Sequence, residues 1–125
     1  MNPSLRIELF PGDLDASLAF YAALGFEVTG RNDGPPRYAS IRWGGVRIGL
    51  LESEPMHPVV RSVPAGTEIV IEVDDITGVR DHVVAQGLRL AEDLQQRAWG
   101  LTDFRLTDPD GYYLRLTDHR GSGGH

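Results

Sequence analysis

The sequence predicts an α+β fold made of two tandem β-α-β-β-β modules, and three observations predict it. An internal repeat relates the segment starting at Arg6, "RIELFPGDLDASLAFYAALGFEV", to the segment starting at Glu68, "EIVIEVDDITGVRDHVVAQGLRL". Each copy passes from period-two alternation to a helical spacing of apolar residues. Each is then followed by a hairpin pattern, "YASIRWGGVRIGL" in the first copy and "TDFRLTDPDGYYLRL" in the second.

Taken in order, the first strand sets Leu5, Ile7 and Leu9 against Arg6, Glu8 and Phe10, and its counterpart sets Ile69, Ile71 and Val73 against Glu68, Val70 and Glu72. Asp13 and Asp75 stand at N-cap positions, where a carboxylate accepts first-turn amides. Gly25 and Gly87 supply the left-handed residue that ends a helix. Between cap and stop, Leu14, Leu18 and Tyr21 in one copy and Ile76, Val79 and Val83 in the other are spaced for one buried face. The offset is 62 from Ile7 to Ile69, from Asp13 to Asp75 and from Gly25 to Gly87. In the hairpins it becomes 66, pairing Gly45 with Gly111, Ile48 with Leu114 and Gly49 with Arg115, and the inserted residues fall near "EDLQQRAW". Gly44 and Gly45, both expected to take positive φ, suit a two-residue primed turn. Pro109 and Gly111 suit a tight turn of the commoner kind.

The expected boundaries are a first module at 1–52, a proline-rich polar linker at 53–66, a second module at 67–118 and a flexible tail at 119–125. At 125 residues the two modules make one domain with a core of useful size. No apolar run approaches the roughly 20 residues that span a bilayer. A net charge of −6 argues against nucleic acid and anionic membranes as partners. The absence of cysteine removes disulfides, thiolate ligands and a thiol nucleophile, and "MNPSLRIEL" has no leader pattern, so a cytoplasmic setting is expected. No phosphate-cradling glycine loop and no nucleophile elbow is present.

Two such modules in series, with "GDLDASLAFYAALGFEV" in the first and "WGLTDFRLTDPDGYYLRL" in the second, resemble the vicinal oxygen chelate superfamily of glyoxalases, extradiol dioxygenases, fosfomycin-resistance enzymes and bleomycin-resistance proteins. The resemblance runs from about Leu5 to Asp118 and implies curved mixed sheets around a cleft, the glyoxalase/bleomycin resistance fold, with two chains associating as a homodimer. It also implies four cleft-facing positions where the family's metal enzymes carry histidine and glutamate. Here these are Arg6, Gly49, Glu68 and Arg115. A guanidinium has no lone pair to donate and glycine has no side chain, so only Glu68 is a competent ligand, and a register slip of two residues still brings in no histidine. His57, His82, His119 and His125 lie off the cleft strands. No metal and no other cofactor is expected.

Two roles are open for the charged trio. Arg6, Glu68 and Arg115 either form an ion cluster that plugs the space of the absent metal, or leave one guanidinium to grip an anionic or carbonyl-bearing ligand. Around them, Trp43, Trp99 and Tyr113 offer rings for a planar ligand, with core packing the competing role for both tryptophans. Glu8 and Glu72 are the candidate acidic wall. The chain is similar above all to bleomycin-resistance proteins, which implies a metal-free protein sequestering a bleomycin-like antibiotic or another aromatic or cationic small molecule. The strand glutamates give no convincing base for catalysis. The alternatives are a lyase or isomerase with an atypical site and a non-catalytic scaffold subunit.

Overall fold

The computed structural model describes residues 2–54 and 68–119. The chain forms two compact modules, each built on a four-stranded mixed sheet. The first contains β1 (Ile7–Leu9), α1 (Leu14–Leu24), β2 (Glu27–Asn32), β3 (Tyr38–Trp43) and β4 (Val46–Leu51), with sheet order β1-β4-β3-β2. The second contains β5 (Ile69–Val73), α2 (Ile76–Ala85), β6 (Glu92–Gln96), β7 (Thr102–Thr107) and β8 (Tyr113–Asp118), in the order β5-β8-β7-β6. In each sheet the first strand pairs in parallel with the last, and the other pairings are antiparallel. Among the described residues, no helix is long and apolar enough to cross a membrane.

The repeat is exact at the level of register. Ile7 lies opposite Ile48 and Ile69 opposite Leu114, so Glu8 and Gly49 occupy the positions that Val70 and Arg115 hold in the second sheet. On the neighbouring strands Ser40 pairs with Gly49 as Arg105 pairs with Arg115. Two small residues in one module therefore correspond to two arginines in the other.

Helix caps form where the sequence puts them. Asp13 accepts from the Ala16 amide at 3.2 Å and Asp75 from the Gly78 amide at 3.0 Å. Gly25 (φ 136°) and Gly87 (φ 85°) turn the chain out of the two helices. The α1 face of Leu14, Leu18, Tyr21 and Leu24 packs toward the apolar residues Ala39, Ile41, Ile48 and Leu50, all buried. In the second module Ile76 and Val83 of α2 meet a sheet face made of Ile69, Ile71, Phe104, Leu106, Leu114 and Leu116. Each such fully buried aliphatic or aromatic side chain contributes about 1.5–3 kcal/mol. Val79 is only half-buried, at the margin of the α2 face.

Three local expectations are corrected. Leu5 does not extend the β1 alternation; it is 76% exposed, and its carbonyl accepts from the Arg47 guanidinium at 3.0 Å instead of a strand amide. Of the glycine pair between β3 and β4, Gly44 alone takes positive φ (57°), so the two-residue turn is the primed type that needs it only at the first central position. "EDLQQ" is not a loop insertion but the strand β6, and the loop follows it. The DPDG turn forms as expected: the buried Asp108 accepts from the amides of Asp110 and Tyr112, each at 2.9 Å, and its carbonyl takes the Gly111 amide at 2.9 Å. The expected linker from residue 55 onward and the tail from residue 120 lie outside the described residues.

Candidate functional site

Because side chains alternate across a strand, each sheet turns a polar face away from its helix, and the residues expected to form a site lie mostly there. In the second module this face carries Glu68 just before β5, Asp103 and Arg105 of β7, and Tyr113 and Arg115 of β8. Arg115 Nη2 lies 3.1 Å from Glu68 Oε1, and Arg105 Nη1 lies 4.0 Å from Glu68 Oε2. Under these sits Asp103, with no exposed side-chain surface. Its Oδ1 accepts from Arg97 Nε at 3.0 Å, while Arg105 and Arg115 approach its Oδ2 at 3.7 and 3.8 Å. Arg97 also pairs with Glu92. Burial works against the Arg105 cation, but a hydrogen bond with Tyr113 and the Asp103 carboxylate outweigh it and hold its pKa above the ordinary arginine value. Three guanidinium groups thus face three carboxylates, and the network is neutral. It is not saturated in hydrogen bonds, since Asp103 Oδ2 and the Nε atoms of Arg105 and Arg115 are buried without a hydrogen-bond partner.

The first module fills the equivalent space differently. Arg6 Nε pairs with Glu8 Oε2 at 2.9 Å within its own module. The Glu8 carboxylate lies over Gly49, where a Cβ would collide with it and would stand 2.6 Å from the Tyr38 hydroxyl. Beyond this, the small side chain of Ser40 leaves room on the face. A cavity of about 260 Å³ opens between Arg6, Arg42, Arg47, Thr29 and Ser40, with Ile41 and Ile48 among its walls. Among the described residues, the Arg47 guanidinium donates only to neutral oxygens, Ser4 Oγ and the Leu5 carbonyl, both at 3.0 Å. Arg42 is exposed, and its guanidinium forms no ion pair or hydrogen bond with the described residues.

The remaining sequence candidates fall in varied places. Glu72 lies on the polar face of β5, opposite Thr117 in register, and Tyr113 has the Arg105 guanidinium 6.0 Å from its ring centroid. Trp43, for which packing and ligand contact were both open, packs: it shares a face with Ala39 and Ile41 and meets Phe26 edge-on at 5.6 Å, with Gly25 beneath its indole. Trp99 is 51% exposed in the turn between β6 and β7. Arg6 pairs with Glu8 within its own module, and Glu68 has Arg115 and Arg105 as partners within the second.

Sequence reasoning missed Arg42, Arg47, Arg97, Asp103 and Arg105. The alternation of "YASIRW" and "TDFRL" places three of these, Arg42, Asp103 and Arg105, on polar faces, so that signal was present. Arg97 follows β6 with no periodicity to mark it.

The family's metal enzymes need converging histidine and carboxylate lone pairs, and the donor set does not fit. Gly49 is covered by Glu8, and Glu68 is engaged by guanidinium groups. Among the described residues no three histidine, aspartate or glutamate side chains gather as a metal site. His82 is exposed on α2, His119 Nε2 lies 3.0 Å from Asp74 Oδ1, and His57 and His125 lie outside the described residues.

The fold has close structural counterparts. A bleomycin-binding protein solved with bleomycin superposes with a TM-score of 0.77 at 22% identity over 95% of this chain and 100% of that one. A bleomycin resistance determinant encoded on the transposon Tn5 gives 0.78 at 21% identity, over 95% and 99% of the two chains. TioX from Micromonospora sp. ML1 gives 0.76 at 22% identity, over 95% and 100%. No curated protein sequence matches the chain. Residues 5–116 match the family model, and the chain belongs to the Glyoxalase/Bleomycin resistance protein/Dioxygenase superfamily.

Proposed function

We propose that the protein binds a small organic molecule and acts by holding it, without a metal and without turning it over. The observation that carries this reading is the Arg115–Glu68 ion pair at 3.1 Å, which puts a guanidinium and its counter-ion where a metal enzyme of this fold would need two ligands. The fold likeness to a bleomycin-binding protein supports a sequestering role of that kind. Glu8 is neutralised by Arg6, so guanidinium donors and not carboxylates are the groups left for a ligand on the first module's face. A planar, polar antibiotic of bleomycin type is the first ligand to try. The family resemblance supports a homodimer as the working unit, and the cysteine-free composition supports a cytoplasmic setting.

Calorimetric titration with a bleomycin-type glycopeptide, with and without copper, tests the reading. Saturable binding at micromolar concentration or below, with no product in the recovered ligand, is the expected result. Chemical change in the ligand, or about one zinc, nickel, manganese or iron per purified chain by elemental analysis, would overturn it.

A further inference from the structure

We propose that the hollow polar face of the first module is an oxyanion site, built to take the carboxylate or phosphoryl group of a small molecule between Arg42 and Arg47. The proposal rests on the reading that the chain binds a small molecule, and it names the group recognised. It begins with charge. The chain carries a net charge of −6, yet the side chains lining this cavity include three arginines and no carboxylate. Among the described residues, Arg6 alone of the three has a counter-ion, Glu8. Glu27 is the register partner of Arg42 on β2 but forms no ion pair with it. Arg47 is fixed by two neutral acceptors through Nη2, which orients its guanidinium without cancelling its charge. Two cations on adjacent strands, paired in register as Arg42 and Arg47 are, repel each other unless an anion lies between them.

The hydroxyls complete the donor set. Thr29 Oγ1 lies 3.2 Å from the Ser40 carbonyl and 3.0 Å from Ser40 Oγ. When Thr29 donates to Ser40 Oγ, the Ser40 proton is free to turn into the cavity. Guanidinium forks give paired, charge-assisted hydrogen bonds to carboxylate and phosphate oxygens, and a hydroxyl takes a further lone pair. At about 260 Å³ the cavity lies just below the range of about 300–1,000 Å³ usual for whole drug-like ligands, so it suits the charged head of a ligand. Among the described residues the second module lacks this arrangement, because Arg105 and Arg115 stand at the positions of Ser40 and Gly49 and are balanced by carboxylates of their own network.

The test is a nitrogen–proton NMR titration of the full chain with inorganic phosphate and, separately, with acetate, each against sodium chloride at matched ionic strength. Expected are saturable shifts of the Thr29, Ser40 and Arg42 backbone amides and of arginine Nε–H signals in at least one oxyanion, with none in chloride. The stronger of the two identifies the head group as phosphoryl or carboxylate. Arg42→Gln, which removes a side chain the fold does not use, should weaken binding at least tenfold, while Arg89→Gln at an exposed position should leave it unchanged. Equal shifts in chloride, silence in both oxyanions, or binding unaltered by Arg42→Gln would each overturn the site. Glycopeptide binding alongside silence in both oxyanions sinks this site and leaves the sequestering role standing. The converse result sinks the glycopeptide and leaves the site.

Discussion

Asp103 and Arg97 meet through two contacts on a single oxygen: Oδ1 of the wholly buried aspartate lies 3.0 Å from Nε and 2.8 Å from Nη2 of the arginine. The pair anchors a network in which Arg105 and Arg115 lean on the other oxygen of the same carboxylate. Taking that carboxylate away leaves three guanidinium groups with only Glu68 and Glu92 to face them.

Asp103→Asn should therefore destabilise the protein by about 3 kcal/mol, the range for stranding a buried charge. Urea unfolding would read this as a lower midpoint at unchanged slope. Arg115→Ala should cost about 1 kcal/mol or less, because Arg105 still faces Glu68 at 4.0 Å.

Gly49 is required for space and not for backbone conformation. Gly49→Ala should cost about 1–2 kcal/mol, because the new methyl displaces the Glu8 carboxylate and crowds the Tyr38 hydroxyl. In a Glu8→Ala, Tyr38→Phe background most of that cost should vanish. A cost that persists in full would place the obstruction elsewhere.

Acid should act on the second module through Asp93. Two hydrogen bonds from Arg80, at 2.9 and 2.7 Å, lower its pKa from 3.8 to about 2, while Arg80 is raised. A carboxyl depressed on folding stabilises the protein fully above its unfolded value and loses that contribution as pH falls through its folded one. The wild type should thus lose stability faster than Asp93→Asn between about pH 4 and pH 2, and the difference seen at pH 7 should close at the acid end. The two curves come from thermal melts across that range.

The tryptophans should respond differently to iodide. Trp99 is 51% exposed, whereas Trp43 is half-buried against Phe26. Trp43→Phe should leave an emission quenched readily, and Trp99→Phe a protected one. Trp43→Ala should cost about 2 kcal/mol by opening a gap beside Phe26, whereas Trp99→Ala should be close to neutral.

The elements legible in the sequence are those fixed by short-range rules. The caps at Asp13 and Asp75, the glycine stops and the turn at Asp108 each satisfy backbone groups a few residues away, so spacing alone reveals them. Register was legible too, because the repeat had to bury Ile48 and Leu114 alike. Partner choice was not. Alternation places Arg6 and Glu8 on one face, but that they pair with each other depends on rotamers that no pattern encodes. Arg97 enters the network only because the turn after β6 bends it back toward Asp103. For Trp43 packing and ligand contact were both left open, although its alternation with Ala39 and Ile41 assigned it to the helix side.

The correspondence of Ser40 and Gly49 with Arg105 and Arg115 has a consequence for how such a protein changes over time. Pairing is secured by the apolar side of each sheet, so the other side is a writable surface, on which the same scaffold has kept a hollow in one half and a sealed salt lattice in the other. Moving the hollow from one half to the other would take the exchange of these four residues together with the carboxylates that answer the arginines, which makes specificity here a matter of inscription on a fixed frame.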